Sequence, residues 1–257
     1  MNIGFIGAGH MGSAIIEGLL RAKIVSPDEL FVKGGTSGST EALQKKIGFH
    51  LITDVSSLHE CEVVFIATGA KVAMKVLETA APSFSTDTIV ISVATGHTIQ
   101  EAQNLVGETI AVVHAIPNTP VSVNQGMIGA VFGEISKEQK EKALNILHSL
   151  GKVEEIDERL LGTFGTVAGC SPAFVDIFME ALADGAVREG LPRALSYKVI
   201  EQMVLGTATL ALTSEKHPGE LKDGVTSPGG STIKGVAALE KHGLRYAVMD
   251  AVKEANS

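Results

Sequence analysis

Tryptophan is absent from the 257 residues, cysteine occurs twice, and aromatic residues make up only 4%. Two cysteines, Cys61 and Cys170, cannot build the disulfide framework of a small secreted scaffold, and they show no CxxC spacing for zinc. Basic residues are in the minority, 21 Lys and Arg against 29 Asp and Glu, for a formal charge of −8. That balance excludes a generic nucleic-acid binder, because affinity for a phosphate backbone comes mostly from Lys and Arg. No apolar run reaches the roughly 18 to 20 residues of a membrane-spanning helix, so no membrane partner is expected. The opening Met1-Asn2-Ile3-Gly4-Phe5-Ile6 lacks the basic segment and long apolar stretch of a secretory leader. A reduced, cytoplasmic protein, complete from its first residue, is the expectation. Glycine, by contrast, is abundant: 28 residues, about 11% where about 7% is usual. With 45% apolar residues the chain can bury a core for one large or two ordinary domains.

From residue 1 to about 155, short apolar or β-branched runs alternate with helical patterns. Strands are predicted at Asn2 to Ile6, Leu30 to Lys33, Val63 to Ala67, Thr88 to Val93, Ile110 to His114 and Met127 to Phe132, with a weaker one at Phe49 to Ile52. Most lack polar alternation, which fits a parallel sheet buried on both faces. Thr98-Ile99-Gln100-Glu101 and Ser136-Lys137-Glu138-Gln139 read as capping boxes, and Gly107 and Gly151 as helix ends. Such alternation implies right-handed crossovers and a doubly wound α/β domain.

Beyond Glu155 the strand signals stop. Ser171-Pro172 reads as an N-cap followed by proline at N1, and Phe174, Ile177, Phe178, Ala181 and Leu182 recur at helical spacing. A second helical pattern runs from Ala194 to Leu212, and a third helix is predicted to start near Ser231. The expected organisation is an α/β domain over residues 1–156 and an all-α domain over 157–257.

Directly after the first strand comes Gly7-Ala8-Gly9-His10-Met11-Gly12, a GxGxxG, followed by an apolar helical run from Ser13 to Leu20. The first glycine permits a tight turn, the second lets a pyrophosphate approach the backbone, and the third allows close helix-on-strand packing. Helix N-terminal amides then face the phosphates. Standing between a first strand and a helix, the motif points to a dinucleotide. At the end of the second strand, where an NAD enzyme usually carries Asp or Glu for the ribose 2′-OH, the sequence reads Phe31-Val32-Lys33-Gly34-Gly35-Thr36-Ser37. No carboxylate is there to repel a 2′-phosphate, and small hydroxyls, backbone amides and Lys33 are candidates to receive it. NADP(H) is therefore the preferred cofactor, with NAD(H) as the alternative.

A second constellation is Lys222-Asp223-Gly224-Val225-Thr226-Ser227-Pro228-Gly229-Gly230-Ser231-Thr232-Ile233, a Pro-Gly-Gly turn running into a helix. Its free amides and the Ser227, Ser231 and Thr232 hydroxyls suit a small carboxylate; a capped helix start is the plainer alternative.

These residues resemble the pyrroline-5-carboxylate reductase family. The likeness is carried by His217-Pro218-Gly219-Glu220-Leu221-Lys222-Asp223 with Thr226-Ser227-Pro228-Gly229-Gly230-Ser231-Thr232, by Ala168-Gly169-Cys170-Ser171-Pro172-Ala173-Phe174, by Glu180-Ala181-Leu182-Ala183-Asp184-Gly185, by Gly190-Leu191-Pro192-Arg193 and by Ile116-Pro117-Asn118-Thr119-Pro120. The resemblance implies a Rossmann-type N-terminal domain with an all-α C-terminal dimerisation domain, and a homodimer or larger assembly of dimers. It further implies NAD(P)H-dependent reduction of the C=N bond of 1-pyrroline-5-carboxylate to L-proline. On this reading Thr232 is catalytic, hydrogen-bonding the ring nitrogen. Ser227, Gly229, Gly230, Ser231 and Thr232 bind the substrate. Gly7, Gly9, His10, Met11, Gly12, Gly34, Gly35, Thr36, Ala67, Thr68, Pro117 and Asn118 bind the cofactor, and no metal is required. The sequence departs from the family pattern where Gly69-Ala70 stands for a usual Lys-Pro, His114 for a usual basic residue, Ile116 for a usual Met, and Gly169-Cys170-Ser171-Pro172 for a usual Gly-Ser-Gly-Pro.

Other residues read more plainly. His114 is expected to pack, Cys170 to be small and buried. Glu180, Asp184 and Arg188 share one helix face and are expected to form a solvated or inter-subunit ion-pair face. A β-hydroxyacid dehydrogenase would need a Lys in the first helix of the second domain, and none lies between Gly165 and Glu180. A non-catalytic dinucleotide sensor, or a reductase of another small cyclic imine, stays open.

Overall fold

The apolar runs of the first half line up as one eight-stranded sheet. The computed structural model describes residues 1–35 and 38–257. In it, β1 (Ile3–Ile6), β2 (Leu30–Lys33), β3 (His50–Ile52), β4 (Val63–Ile66), β5 (Ile89–Ser92), β6 (Ala111–Ile116), β7 (Gly126–Phe132) and β8 (Gly151–Glu155) lie in the order β3-β2-β1-β4-β5-β6-β7-β8. Strands β1 to β6 are mutually parallel, and β1, β4, β5 and β6 are buried at every position. Burial on both faces is why these runs lack alternation. The 3-2-1-4-5-6 order is that of the doubly wound dinucleotide fold, with its switch point between β1 and β4.

Two features of the sheet differ from the sequence expectation. Strand β7 runs antiparallel to β6. The connection from Pro117 to Gln125 folds as a short 3-10 turn (Thr119–Val123), too short for the dozen or more residues of a parallel crossover. Strand β8 was not expected, and Gly151 starts it instead of ending a helix. Its Lys152, Glu154 and Glu155 are exposed on the sheet edge, where charge guards against further pairing. Gly151 has φ 153°, and a Cβ there would overlap the Gly126 backbone, so the β7–β8 approach requires glycine.

Helices α1 (His10–Arg21), α2 (Ser39–Ile47), α3 (Ala70–Ala80), α4 (Ile99–Val106) and α5 (Lys137–His148) join the strands. Ile15, Ile16 and Leu19 of α1 and Ile146 and Leu147 of α5 share one core with Phe5 and Phe65, whose rings stack at 4.8 Å. Ala73 and Leu77 of α3 and Ala102 of α4 share a second with Ile6, Val64 and Val90. Both capping boxes form, and Gly107 ends α4 at φ 84°.

The backbone groups into two compact units, Met1–Gly169 and Cys170–Ser257. The first extends past the last strand because α6 (Leu161–Gly165) packs on β6 and β7. A π-helical turn, Thr166–Cys170, leads into α7 (Ser171–Arg188). Ser171 is therefore the first residue of α7 and not its N-cap, since the preceding π turn already supplies helical backbone. The second unit continues with α8 (Arg193–Ser214), α9 (Pro218–Gly224), α10 (Ser231–Lys241) and α11 (Leu244–Ala255). Asp184 of α7 pairs with Arg193 of α8 at 2.6 Å, and Arg188 with Glu189 at 3.2 Å, so the acidic and basic residues of α7 do not pair with each other. Cys170 is exposed in the single chain, not buried as expected. The second unit leaves Ile177, Leu212 and Tyr246 exposed at 65%, 82% and 70%. Within Glu158–Arg188, one window of mean hydropathy 1.3 makes the helix long and apolar enough, by length and composition, to cross a membrane. That departs from the sequence expectation, because polar residues such as Asp176 interrupt the apolar run while the window mean still reaches 1.3.

Candidate functional site

The glycines between β1 and α1 divide their work as the GxGxxG spacing suggests. Gly7 turns the chain at φ 100°, its N–H donating to the Lys33 carbonyl at 2.9 Å. A Cβ there would lie 2.7 Å from the Ala67 carbonyl carbon, so only glycine lets β1 and β4 end side by side. Gly12 backs onto the Gly7 carbonyl, which a Cβ would strike. Gly9 faces open space, with no atom within 4 Å of where its Cβ would stand. No side chain caps α1 and its first turn carries no acid, so its leading N–H groups are open to an anion. This cradle fits a pyrophosphate. His10 is exposed beside it, while Met11 packs partly against the core.

At the end of β2, the Lys33 ammonium donates to the Thr53 carbonyl at the end of the neighbouring β3. Gly34 backs onto Thr40, whose Oγ1 would be 2.8 Å from a Cβ, and Gly35 is open. Thr36 lies outside the described residues. Asp54, the nearest carboxylate beyond β3, is engaged capping the next turn through Ser56 N–H at 2.8 Å.

The carboxyl ends of β4, β5 and β6 carry polar groups in a row. Parallel register places Ile66, Ser92 and His114 side by side, with Ala67 and Thr68 following β4. Ser92 Oγ and Thr68 Oγ1 are buried without a hydrogen-bond partner. His114 is 3% exposed, and its Nε2–H donates to the Ala94 carbonyl at 2.8 Å. Its ring stacks on His97 with centroids 4.6 Å apart and planes 13° from parallel. Burial pushes both imidazoles below their ordinary pKa of 6.5; for His97 the Thr95 backbone and the Glu101 and Glu158 charges oppose this, and for His114 the His97 charge adds to it. Pro117 is buried. Asn118 is too, its Nδ2 donating to the Ala168 carbonyl at 3.0 Å and its Oδ1 accepting from Met127 N–H at 2.9 Å. Its side chain is thus engaged in holding the turn to β7. His97 was missed by sequence reasoning; polar Ser92 and His114 within otherwise apolar buried strands were the available signal.

In the second unit, Ser227-Pro228-Gly229-Gly230 closes a turn by Gly230 N–H to the Ser227 carbonyl at 3.0 Å, with Gly229 at φ 70°. Proline at the second position and left-handed glycine at the third define a type II turn. It delivers the chain to α10 with Gly230 as N-cap and no side chain capping the helix. The amides of Ser231 and Thr232 and their exposed hydroxyls stand together there. The motif preceding it is itself ordered: His217 Nδ1 accepts from Gly219 N–H at 3.0 Å and begins α9.

A doubly wound sheet with a glycine turn opening its first helix, joined to a helical unit bearing an uncapped, glycine-led helix start, defines a dinucleotide-dependent oxidoreductase. Comparison with known proteins gives the family. Residues 158–257 match the model for pyrroline-5-carboxylate reductase dimerisation, and residues 2–96 match that for NADP oxidoreductase, coenzyme F420-dependent. The chain is 37% identical over 252 residues to pyrroline-5-carboxylate reductase of Escherichia coli (97% of this chain, 94% of the relative). It is 38% identical over 257 residues to that of Synechocystis (99% and 96%). The crystal structure of Plasmodium falciparum pyrroline carboxylate reductase with NADP bound superposes with a TM-score of 0.88 at 30% identity, covering 100% of this chain and 95% of that one. The chain belongs to the pyrroline-5-carboxylate reductase family.

Proposed function

We propose that the protein reduces 1-pyrroline-5-carboxylate to L-proline with NADPH, the observation that carries this being the type II turn and open α10 start at Ser227–Thr232 in a chain whose Gly7–Gly12 turn opens α1 at the end of β1. Gly7, Gly9 and Gly12 hold the pyrophosphate against α1, with His10 and Met11 flanking. Gly34, Gly35 and Thr36 receive the adenosine ribose phosphate, for which the end of β2 offers no competing carboxylate. Ala67, Thr68 and Pro117 border the nicotinamide half, and Asn118 shapes its floor. When bound, the reduced nicotinamide supplies a hydride to the imine carbon.

In the second unit, the Gly229, Gly230 and Ser231 backbone with the Ser227 and Ser231 hydroxyls bind the substrate carboxylate at the positive end of α10. The Thr232 hydroxyl hydrogen-bonds the ring nitrogen. A protonated cyclic imine is already a strong electrophile, so alignment and one polar contact suffice and no strong base is needed. The apolar faces of α7, α8 and α11 are covered by a second copy, giving a homodimer or an assembly of dimers, in the cytoplasm and without a nucleic-acid or membrane partner. The dimerisation match supports the pairing of two copies, as do Ile177, Leu212 and Tyr246, which the single chain leaves bare.

The test is NADPH oxidation with 1-pyrroline-5-carboxylate, with the six-membered piperideine analogue in parallel. Oxidation with the five-membered ring and a lower KM for NADPH than for NADH are expected. Oxidation with only the six-membered ring would reassign the substrate, and none with either would make the protein a non-catalytic sensor.

A further inference from the structure

Six buried side-chain polar atoms among the described residues have no hydrogen-bond partner, and five lie at the carboxyl ends of β4 to β6: Thr68 Oγ1, Ser92 Oγ, His97 Nδ1 and Nε2, and His114 Nδ1. Unpaired buried polar atoms are costly, so such a cluster calls for a ligand. Beside it lies a cavity of about 360 Å³, lined by His97, His114, Thr95, Thr98, Ile116 and Leu161 among others. Two carboxylates reach it, and both are engaged at the start of α4. Glu101 accepts from Thr98 N–H at 2.7 Å, and Glu158 accepts from Ile99 N–H at 2.6 Å. Neither Lys nor Arg is among its described lining residues.

The free atoms can be assigned donor and acceptor roles. A carbonyl only accepts, so the bond to Ala94 puts the His114 proton on Nε2 and leaves Nδ1 as a buried acceptor. Neutral His97 adds one N–H donor and one acceptor. The His114 Nδ1 acceptor and the His97 N–H donor together match one N–H and the carbonyl of a primary amide. A carboxylate would meet Glu101, Glu158 and the His114 lone pair, and would be repelled. The cavity also lies on the right strands. Adenosine occupies the β2 side of the switch point, so the second nucleoside extends over β4 to β6, whose far members sit about 10–14 Å from β1 at roughly 4.8 Å per strand.

We propose that this cavity is the socket for the nicotinamide carboxamide, with His114 Nδ1 accepting an amide N–H and His97 meeting the carbonyl. The proposal rests on the dinucleotide reading above. Burial, which disfavours charge on both rings, keeps the acceptor available near neutral pH. His114 and His97 fix the orientation of the nicotinamide ring and hence which of its atoms faces the substrate.

Equilibrium binding tests the socket without turnover, using three probes: NADPH, its 3-acetylpyridine analogue, in which a methyl ketone replaces the amide, and 2′-phospho-ADP-ribose, which lacks the nicotinamide. The native protein is expected to bind NADPH about tenfold or more tightly than the acetyl analogue. His114→Leu should abolish that preference, His114→Asn should keep part of it through its amide oxygen, and both should bind 2′-phospho-ADP-ribose as the native protein does. Native protein that binds 2′-phospho-ADP-ribose but does not distinguish NADPH from the acetyl analogue overturns the socket alone. Equal loss of all three probes in His114→Leu also overturns it, by showing a merely structural role. Native protein that binds no probe overturns the dinucleotide reading and the socket with it.

Discussion

Replacing Gly9 with alanine should separate cofactor binding from folding, and Gly7→Ala provides the contrast. Gly9 sits at φ −71° and ψ −162°, which alanine adopts freely, and its Cβ would meet nothing within 4 Å. Lost unfolded-state entropy favours alanine by about 0.4–1 kcal/mol. A poorer helix N-cap costs about as much, so net stability should move by less than about 1 kcal/mol. The new methyl, however, occupies the surface where the pyrophosphate must approach. Losing one hydrogen bond from an α1 amide to a charged oxygen costs about 1.5–3 kcal/mol, or roughly a tenfold to hundredfold weaker Kd for NADPH. Gly7→Ala forces a left-handed alanine at φ 100°, costing about 1–2 kcal/mol. It also sets a methyl 2.7 Å from the Ala67 carbonyl carbon, a backbone atom in the β1–β4 junction that cannot swing aside. A total near 3 kcal/mol corresponds to a fall in Tm of about 6–12 °C for a unit of this size. Thermal melts without cofactor and fluorescence titrations with NADPH read the two effects apart. A Gly9→Ala protein that binds NADPH normally, or that melts as low as Gly7→Ala, would refute the assignment.

Three further outcomes are expected. Thr232→Ala should lower kcat at least about tenfold, with NADPH affinity unchanged and Thr232→Ser restoring turnover, since removing one hydrogen bond to developing charge costs on the order of 2–4 kcal/mol; unchanged kcat in steady-state assays would remove Thr232 from the reaction. Because His97 and His114 sit below their ordinary 6.5 in the fold, the unfolded chain takes up protons first as pH drops beneath 6.5. Stability is thus complete above 6.5 and falls below it, which urea midpoints at pH 7.5 and 5.5 will show, with a shallower fall in His114→Asn. The Glu29 carboxyl is held at about 2, chiefly by its hydrogen bond from the N-terminal ammonium and then by Ser26. Its contribution is present above about 4.5 and is lost as pH falls toward 2, so Glu29→Gln should flatten that part of the acid melting curve.

How much could be read in advance depended on whether each constraint is local. Strand β2 was predicted at its observed bounds, and β1, β4, β5, β6 and β7 were placed within a residue or two; for β1, β4, β5 and β6 burial on both faces leaves an apolar run readable without context. Strand β8 was not, because an edge strand carries Lys152, Glu154 and Glu155 and reads as polar linker. Helix α9 was not predicted, because seven residues are too few for periodicity to register. Gly151 resembled a helix end, and only the β7–β8 approach reveals why glycine is needed there.

The sequence by itself determined the alternating α/β half and the helical half, the phosphate turn at Gly7–Gly12 and the turn at Ser227–Thr232. The two halves follow from apolar periodicity along the chain, and the two turns from residues within a few positions of one another, through the positive φ that glycine adopts at Gly7 and Gly229. The tertiary structure decided the direction of β7, the edge strand β8 and the meeting of His97 with His114. Those depend on how neighbouring strands pair in three dimensions, and parallel pairing of β5 with β6 sets Ser92 beside His114, whose ring lines a cavity.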